Sequence, residues 1–141
     1  MNKRFFIAWA VLFDAWFAGS FVVHGMLLGG DYKALQGQLF RTEADSQQYF
    51  PWMILAHVLM SGAFVWIYAK GVESRDWFPQ GLRYGVAIAL LGIVPTYLIY
   101  FAVQPTPQAL VIKQIVFDGA LMLVLGVIVA FMYRDAGRPA V

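Results

Sequence analysis

The chain has 141 residues, of which 61% are hydrophobic and 13% are charged, with a net charge of +2 and no cysteine. A composition this apolar is typical of membrane proteins, and four apolar runs near the roughly 20 residues needed to cross a bilayer leave little chain for a soluble domain. The lack of cysteine excludes disulfides, thiolate chemistry, iron–sulfur clusters and attached c-type haem, and the small charge gives no support to nucleic-acid binding.

The first apolar run, residues 5–28, predicts a membrane-spanning helix that carries two polar side chains, Asp14 and His24. A carboxylate in the middle of a membrane helix costs about 2.5–3.5 kcal/mol on insertion scales. Asp14 would also interrupt the apolar core of a signal peptide, so a spanning helix is the better interpretation. Gly29 and Gly30 are expected to end this helix in left-handed conformations.

The connection 29–50 is the longest and most polar part of the chain. Thr42 and Asp45 match the pattern of a helix start, in which the threonine caps the first turn. An amphipathic turn at the membrane surface is predicted from the apolar spacing of Tyr32, Leu35 and Leu39.

Three further helices are predicted at about residues 51–70, 81–103 and 108–133. Pro95 lies inside the third and is expected to kink it, because proline has no N–H for the preceding turn. A stripe of small residues on the third helix would let a neighbouring helix approach closely. This stripe consists of Gly85, Ala89, Gly92 and Thr96.

Basic residues are distributed asymmetrically between the two predicted membrane surfaces. Seven of the ten lie on one side: Lys3, Arg4, Lys70, Arg75, Arg83, Arg134 and Arg138. The positive-inside rule therefore predicts that both termini are cytoplasmic. With short second and third connections, the predicted fold is an all-α, antiparallel four-helix transmembrane bundle formed by a single domain, residues 1–141.

The only two histidines, His24 and His57, are predicted at similar depth in the outer leaflet. Two imidazoles on facing helices are suitable axial ligands for a b-type haem. Two imidazoles alone are half of a tetrahedral zinc site. The alternative is that each histidine only donates a hydrogen bond, to a backbone carbonyl or to Asp118, Tyr97 or Tyr100.

A second predicted group is an intramembrane polar cluster around Asp14 and Asp118, which by depth would share the central layer of the bundle. Close carboxylates would not both remain ionised, so a pair would hold a proton. Such a pair would either hold the proton that a proton-linked carrier transports or only fix the register of the helices. The remaining members of the predicted cluster are Gln114, Tyr97 and Tyr100.

Several short stretches resemble a group of uncharacterised four-helix bacterial membrane proteins, and the similarity covers most of the chain. These are His24-Gly25, Tyr68-Ala69-Lys70-Gly71, Gly81-Leu82-Arg83-Tyr84-Gly85 and Tyr100-Phe101-Ala102-Val103-Gln104-Pro105. The resemblance implies a multi-pass protein of the bacterial cytoplasmic (inner) membrane with four spans. It implies no activity.

Three functions are favoured at this point, ahead of an enzyme that would act on lipid at the outer face through His57, Asp45 or Glu43. The first is a non-catalytic accessory or small-ligand-binding protein whose polar residues fix the bundle, since no catalytic residues are recognisable. The second is an electron-transfer protein holding haem b between His24 and His57, and the third is a proton-coupled carrier using Asp14 and Asp118. The expected partners are the lipid bilayer and either further copies of the chain or a larger membrane complex.

Overall fold

The computed structural model describes residues 3–136, a part of the chain that contains helices and no strands. Arg138, one of the basic residues used to predict topology, lies outside the described residues. The helices are α1 Lys3–Leu27, α2 Gly29–Ala34, α3 Glu43–Gln47, α4 Phe50–Lys70, α5 Trp77–Val103 and α6 Gln108–Met132.

Four of these helices, α1, α4, α5 and α6, are long and apolar enough to cross a membrane. The prediction of an all-α protein with four candidate spans is confirmed. Predicted and observed ends agree within two residues, except that α5 begins at Trp77 rather than near residue 81. The hydropathy pattern did not indicate this first turn, because it follows directly on the polar residues of the preceding link.

Two spanning helices widen into a π-helix, at Phe21–Leu27 in α1 and at Ala89–Ile93 in α5. The second widening directly precedes Pro95, which cannot donate a backbone hydrogen bond to the turn before it. The predicted irregularity in this helix therefore takes the form of a π turn. Such turns change the direction in which nearby side chains point and are frequent at functional sites.

The predicted left-handed ending of the first helix at Gly29 and Gly30 is wrong. Both glycines are helical and begin α2, while Gly37 is the one glycine of the described chain with positive φ, at 75°. The chain bends at Leu28 instead, whose side chain is fully buried.

The connection between α1 and α4 folds over one end of the bundle, which we call the loop end. Side chains of this connection pack against a small core of Val23, Leu28 and Leu110. They are Tyr32, Leu35 and Phe40. The predicted cap at Thr42 is confirmed, because its side chain accepts a hydrogen bond from the backbone N–H of Asp45.

The main core lies between α1, α4 and α6, with α6 packed against each of the other three spanning helices. Buried residues of α1 repeat every three or four positions, at Phe5, Ala8, Leu12 and Trp16, as one face of a helix must. Pairs of residues set the relative placement of the helices. They are Trp9 with Val58, Ser20 with His57, Gly81 with Gly126, and Tyr97 with Asp118.

Helices α5 and α6 approach closely at glycines. A Cβ added to Gly85 would lie 2.6 Å from the carbonyl oxygen of Met122, and one added to Gly81 would lie 2.6 Å from that of Gly126. Of the predicted stripe, Gly85 and Ala89 are buried, whereas Gly92 and Thr96 are exposed. The close packing therefore uses one half of α5.

We expect Gly85→Ala to lower the free energy of unfolding by about 1–3 kcal/mol, because the added methyl group meets backbone atoms that cannot rotate away. Thermal unfolding in detergent measures this. Gly92→Ala is the matched control, since nothing lies within 4 Å of its added Cβ. Equal melting temperatures for the two variants would contradict the close approach of α5 and α6.

Candidate functional site

Five polar side chains meet near the loop end of the bundle, at the junction of α1, α2, α5 and α6. We call this group the loop-end cluster; its members are His24, Tyr32, Tyr97, Gln114 and Asp118. Asp118 and Gln114 are buried. The cluster therefore places polar groups inside a predominantly apolar bundle, where each needs a partner.

Local structure brings each member into the cluster. His24 lies in the π turn of α1, and Tyr97 follows Pro95 and the π turn of α5. Gln114 and Asp118 are four residues apart and share one face of α6. Tyr32 arrives from α2, because the bend at Leu28 turns this short helix back over the bundle.

Asp118 contacts two other members of the cluster. One carboxylate oxygen lies 3.2 Å from Nε2 of His24, and the other accepts a hydrogen bond of 2.5 Å from the Tyr97 hydroxyl. Nδ1 of His24 lies 2.8 Å from the Tyr32 hydroxyl, which also accepts a 3.1 Å hydrogen bond from the Gln114 amide. A single carboxylate thereby connects α1, α5 and α6.

One assignment of donors and acceptors accounts for the hydrogen bonds that link Gln114, Tyr32, His24 and Asp118. Gln114 donates to Tyr32, Tyr32 donates to Nδ1 of His24, and His24 donates through Nε2 to Asp118. Burial raises the pKa of Tyr32, with the charges of Asp118 and Asp31 acting in the same direction against the hydrogen bond from Gln114. The phenol therefore keeps its proton at neutral pH and can donate it.

An ion pair lies beside the cluster at the loop end. Nζ of Lys113 is 2.9 Å from one carboxylate oxygen of Asp31 and 3.1 Å from the other. Both side chains are partly exposed. This pair ties the start of α6 to α2, which is the element that carries Tyr32.

His57 belongs to a different environment. Its Nδ1 lies 2.8 Å from the Met53 carbonyl oxygen and its Nε2 lies 3.0 Å from the Ser20 hydroxyl, so it joins α4 to α1. The ring packs edge-on against Trp16 and Phe17. The structure thus directs His57 toward α1 and His24 toward α6.

This arrangement does not fit a haem held between His24 and His57. Both ring nitrogens of each histidine have partners within the protein. Axial ligation would require Nε2 or Nδ1 to leave that partner. Within residues 3–136, no group of three histidine, aspartate or glutamate side chains is placed to hold a metal ion.

The structure does not bring Asp14 and Asp118 together. Asp118 contacts His24, and ten residues, or about 15 Å of helix, separate His24 from Asp14 along α1. Asp14 is exposed on the outer face of α1, and no side chain among residues 3–136 forms a hydrogen bond or an ion pair with it. Tyr100 is also exposed and outside the cluster.

Sequence reasoning did not include Tyr32 and Asp31 in the site. Both lie in the long connection, and their contacts with Gln114 and Lys113 span 82 positions of sequence. The one available signal was the apolar spacing that places Tyr32 on the bundle-facing side of a surface turn. The partners of that side chain are set by the bend at Leu28.

Comparisons with protein-family models, with curated proteins and with solved structures found no match to this chain.

We expect Tyr97→Phe to lower the free energy of unfolding by about 1 kcal/mol, because a buried carboxylate loses one of its two hydrogen-bond donors. Denaturant or thermal unfolding in detergent measures this loss. Tyr100→Phe removes an exposed hydroxyl from the same helix and is expected to leave stability unchanged. The assigned role of Tyr97 is wrong if both variants unfold alike.

Proposed function

We propose that the chain is a small, non-catalytic integral protein of the bacterial cytoplasmic membrane that works within an assembly. The sequence resemblance supports placing it among the uncharacterised four-helix bacterial membrane proteins. The face of α1 around Asp14 is the surface through which it assembles, and its partner there is a second copy of the chain. The exposed position of Asp14 is the observation that carries the proposal.

Asp14 is the twelfth of the 25 residues of α1 and so lies near the middle of a candidate span. Lipid contains no group that can replace the lost hydration of a carboxyl. Asp118, the other acid inside a span, has two partners within the bundle. Asp14 therefore needs a partner from outside it.

Two small residues flank Asp14 on the exposed face of α1, where the larger Ile7, Val11 and Phe21 are also exposed. Ala10 and Ala18, one turn before and one turn after it, are both exposed. Small residues at four-residue spacing let two membrane helices approach closely. In a twofold dimer this face meets itself, so the two Asp14 carboxyls lie side by side and can share one proton in a hydrogen bond.

The proposed topology is an antiparallel bundle with both termini in the cytoplasm. The antiparallel arrangement is supported by contacts between opposite ends of packed helices: Arg4 at the start of α1 with Tyr133 after the end of α6, and Ser20 in the second half of α1 with His57 in the first half of α4. The orientation is supported by the excess of basic residues at the end that carries the termini. The loop-end cluster then lies in the outer leaflet.

In this account the loop-end cluster fixes the register of the bundle. Asp118 with its two donors positions α6 against α1 and α5 at one level, and buried polar groups are suited to such a role. A proton-coupled carrier is supported less well. The chain of hydrogen bonds from Tyr32 ends at Tyr97, and Asp14 lies on the opposite side of α1 from Asp118.

Single cysteines provide a direct test of the dimer, because the chain contains no other thiol. We expect Ala18→Cys, in membranes treated with a mild oxidant, to form a disulfide-linked dimer on a non-reducing gel, and Asp14→Leu to reduce the yield several-fold. Ala63→Cys places a thiol at an exposed position of α4 and is the matched control, expected to remain monomeric. No cross-linking at residue 18, or equal cross-linking at residue 63, would exclude this surface.

An absorbance spectrum tests the haem alternative separately. We expect protein purified after haem-replete expression to be colourless, because the ring nitrogens of His24 and His57 are already occupied. A Soret band that disappears in both His24→Ala and His57→Ala would instead establish the electron-transfer function.

A further inference from the structure

A second site, independent of the proposed function, lies at the end of the bundle opposite the loop end. A cavity of about 200 Å³ opens there between the link from α4 to α5 and the last turn of α6. Arg75, Asp76 and Gln80 also line a more open groove that continues from it toward Arg83. Both lie at the ends of spanning helices, which is the level of lipid headgroups.

Gln80 is the side chain that indicates a ligand. It is 7% exposed, and its Nε2 has no hydrogen-bond partner among the described residues, although its Oε1 accepts a 2.8 Å hydrogen bond from Tyr68. A buried donor left without an acceptor costs about 1–3 kcal/mol. Gln80 is one of the residues that line the cavity, and we assign an acceptor oxygen bound there as the missing partner of Nε2.

Charges around the cavity are balanced rather than uniformly basic. Two cations and two anions line it: Arg75, Arg134, Glu73 and Asp76. Glu73 is bound by Arg75 at 3.2 Å and by Arg83 at 3.4 Å, whereas Asp76 has no side-chain partner among the described residues. A ligand that carries both signs of charge matches this lining better than an anion does.

Aromatic rings complete the site. Trp77, Tyr68 and Tyr133 line the cavity. Arg4 already lies over the Tyr133 ring and Tyr68 is buried, so Trp77 is the lining ring left to attract an ammonium group. Burial raises the pKa of Tyr133, against the effect of nearby Arg4, so its hydroxyl remains neutral. The cavity volume of about 200 Å³ suits a small polar group and is too small for a whole lipid.

We propose that this cavity binds the zwitterionic headgroup of a phosphoethanolamine lipid. A phosphate oxygen accepts from Nε2 of Gln80 and from Arg134, and the ammonium group lies between Asp76 and Trp77. The acyl chains remain outside, along the apolar surface of α5, where Phe78 is exposed. Soluble phosphoethanolamine esters carry the same phosphate and ammonium groups, so the test distinguishes a lipid ligand from a soluble one.

The test measures the melting temperature of delipidated protein in detergent after addition of defined lipids. Phosphatidylethanolamine is expected to raise it by several degrees. Phosphatidylcholine has no ammonium N–H to donate to Asp76 and phosphatidylglycerol has no cationic group, so both are expected to raise it by clearly less, and soluble glycerophosphoethanolamine at the same concentration by little. A shift with phosphatidylglycerol equal to or larger than that with phosphatidylethanolamine would overturn the zwitterionic assignment. An equal shift with the soluble ester would overturn the lipid source.

Gln80→Glu keeps an acceptor for Tyr68 but replaces the donor toward the ligand with a carboxylate oxygen. We expect native mass spectrometry to show at least a tenfold loss of bound phosphatidylethanolamine in this variant. Gln104→Glu makes the same change at an exposed position and is the matched control. Asp76→Asn, which leaves the fold contacts intact, is expected to abolish the preference over phosphatidylcholine, and unchanged binding in both Gln80→Glu and Asp76→Asn would refute the site.

Discussion

A polar group inside a membrane must find its partner within the protein, and Asp118 is where this constraint acts most strongly. Its two oxygens take donors from two other helices, His24 on α1 and Tyr97 on α5. His24 lies within the π turn of α1, and Tyr97 follows the π turn that precedes Pro95. The irregular parts of two helices thus carry the two hydrogen-bond donors of this one carboxylate.

The same constraint distinguishes the two membrane acids. Asp118 is buried and fully paired, and its contacts hold α1, α5 and α6 at one level. Asp14 lies on an exposed face of α1 with no described partner, between two alanines that permit close approach of another helix. One acid therefore organises the chain itself, and the other provides the reason to expect an assembly.

The four spans follow from the sequence because hydropathy and length alone decide them, and the Thr42 cap follows from local hydrogen-bond chemistry. The site does not follow so directly. The depth counted from predicted helix ends placed Asp118 level with Asp14. In the structure Leu110 packs against Leu28, so α6 begins beyond the level where α1 ends. Asp118 therefore lies closer to the loop end and contacts His24 instead of Asp14. Which face a residue presents depends on which helices are neighbours, and α6 contacts three of them. The bend at Leu28, which brings Tyr32 over the bundle, depends on a π turn that composition does not indicate.

We propose that the Asp14 face of α1 joins two copies of the chain. Sedimentation equilibrium in a density-matched detergent measures this, because it reports the mass of the protein alone. We expect a mass twice that of the 15.8 kDa chain for the wild type and a monomer for Asp14→Leu. A monomeric wild type, or a dimer that survives Asp14→Leu unchanged, would contradict it.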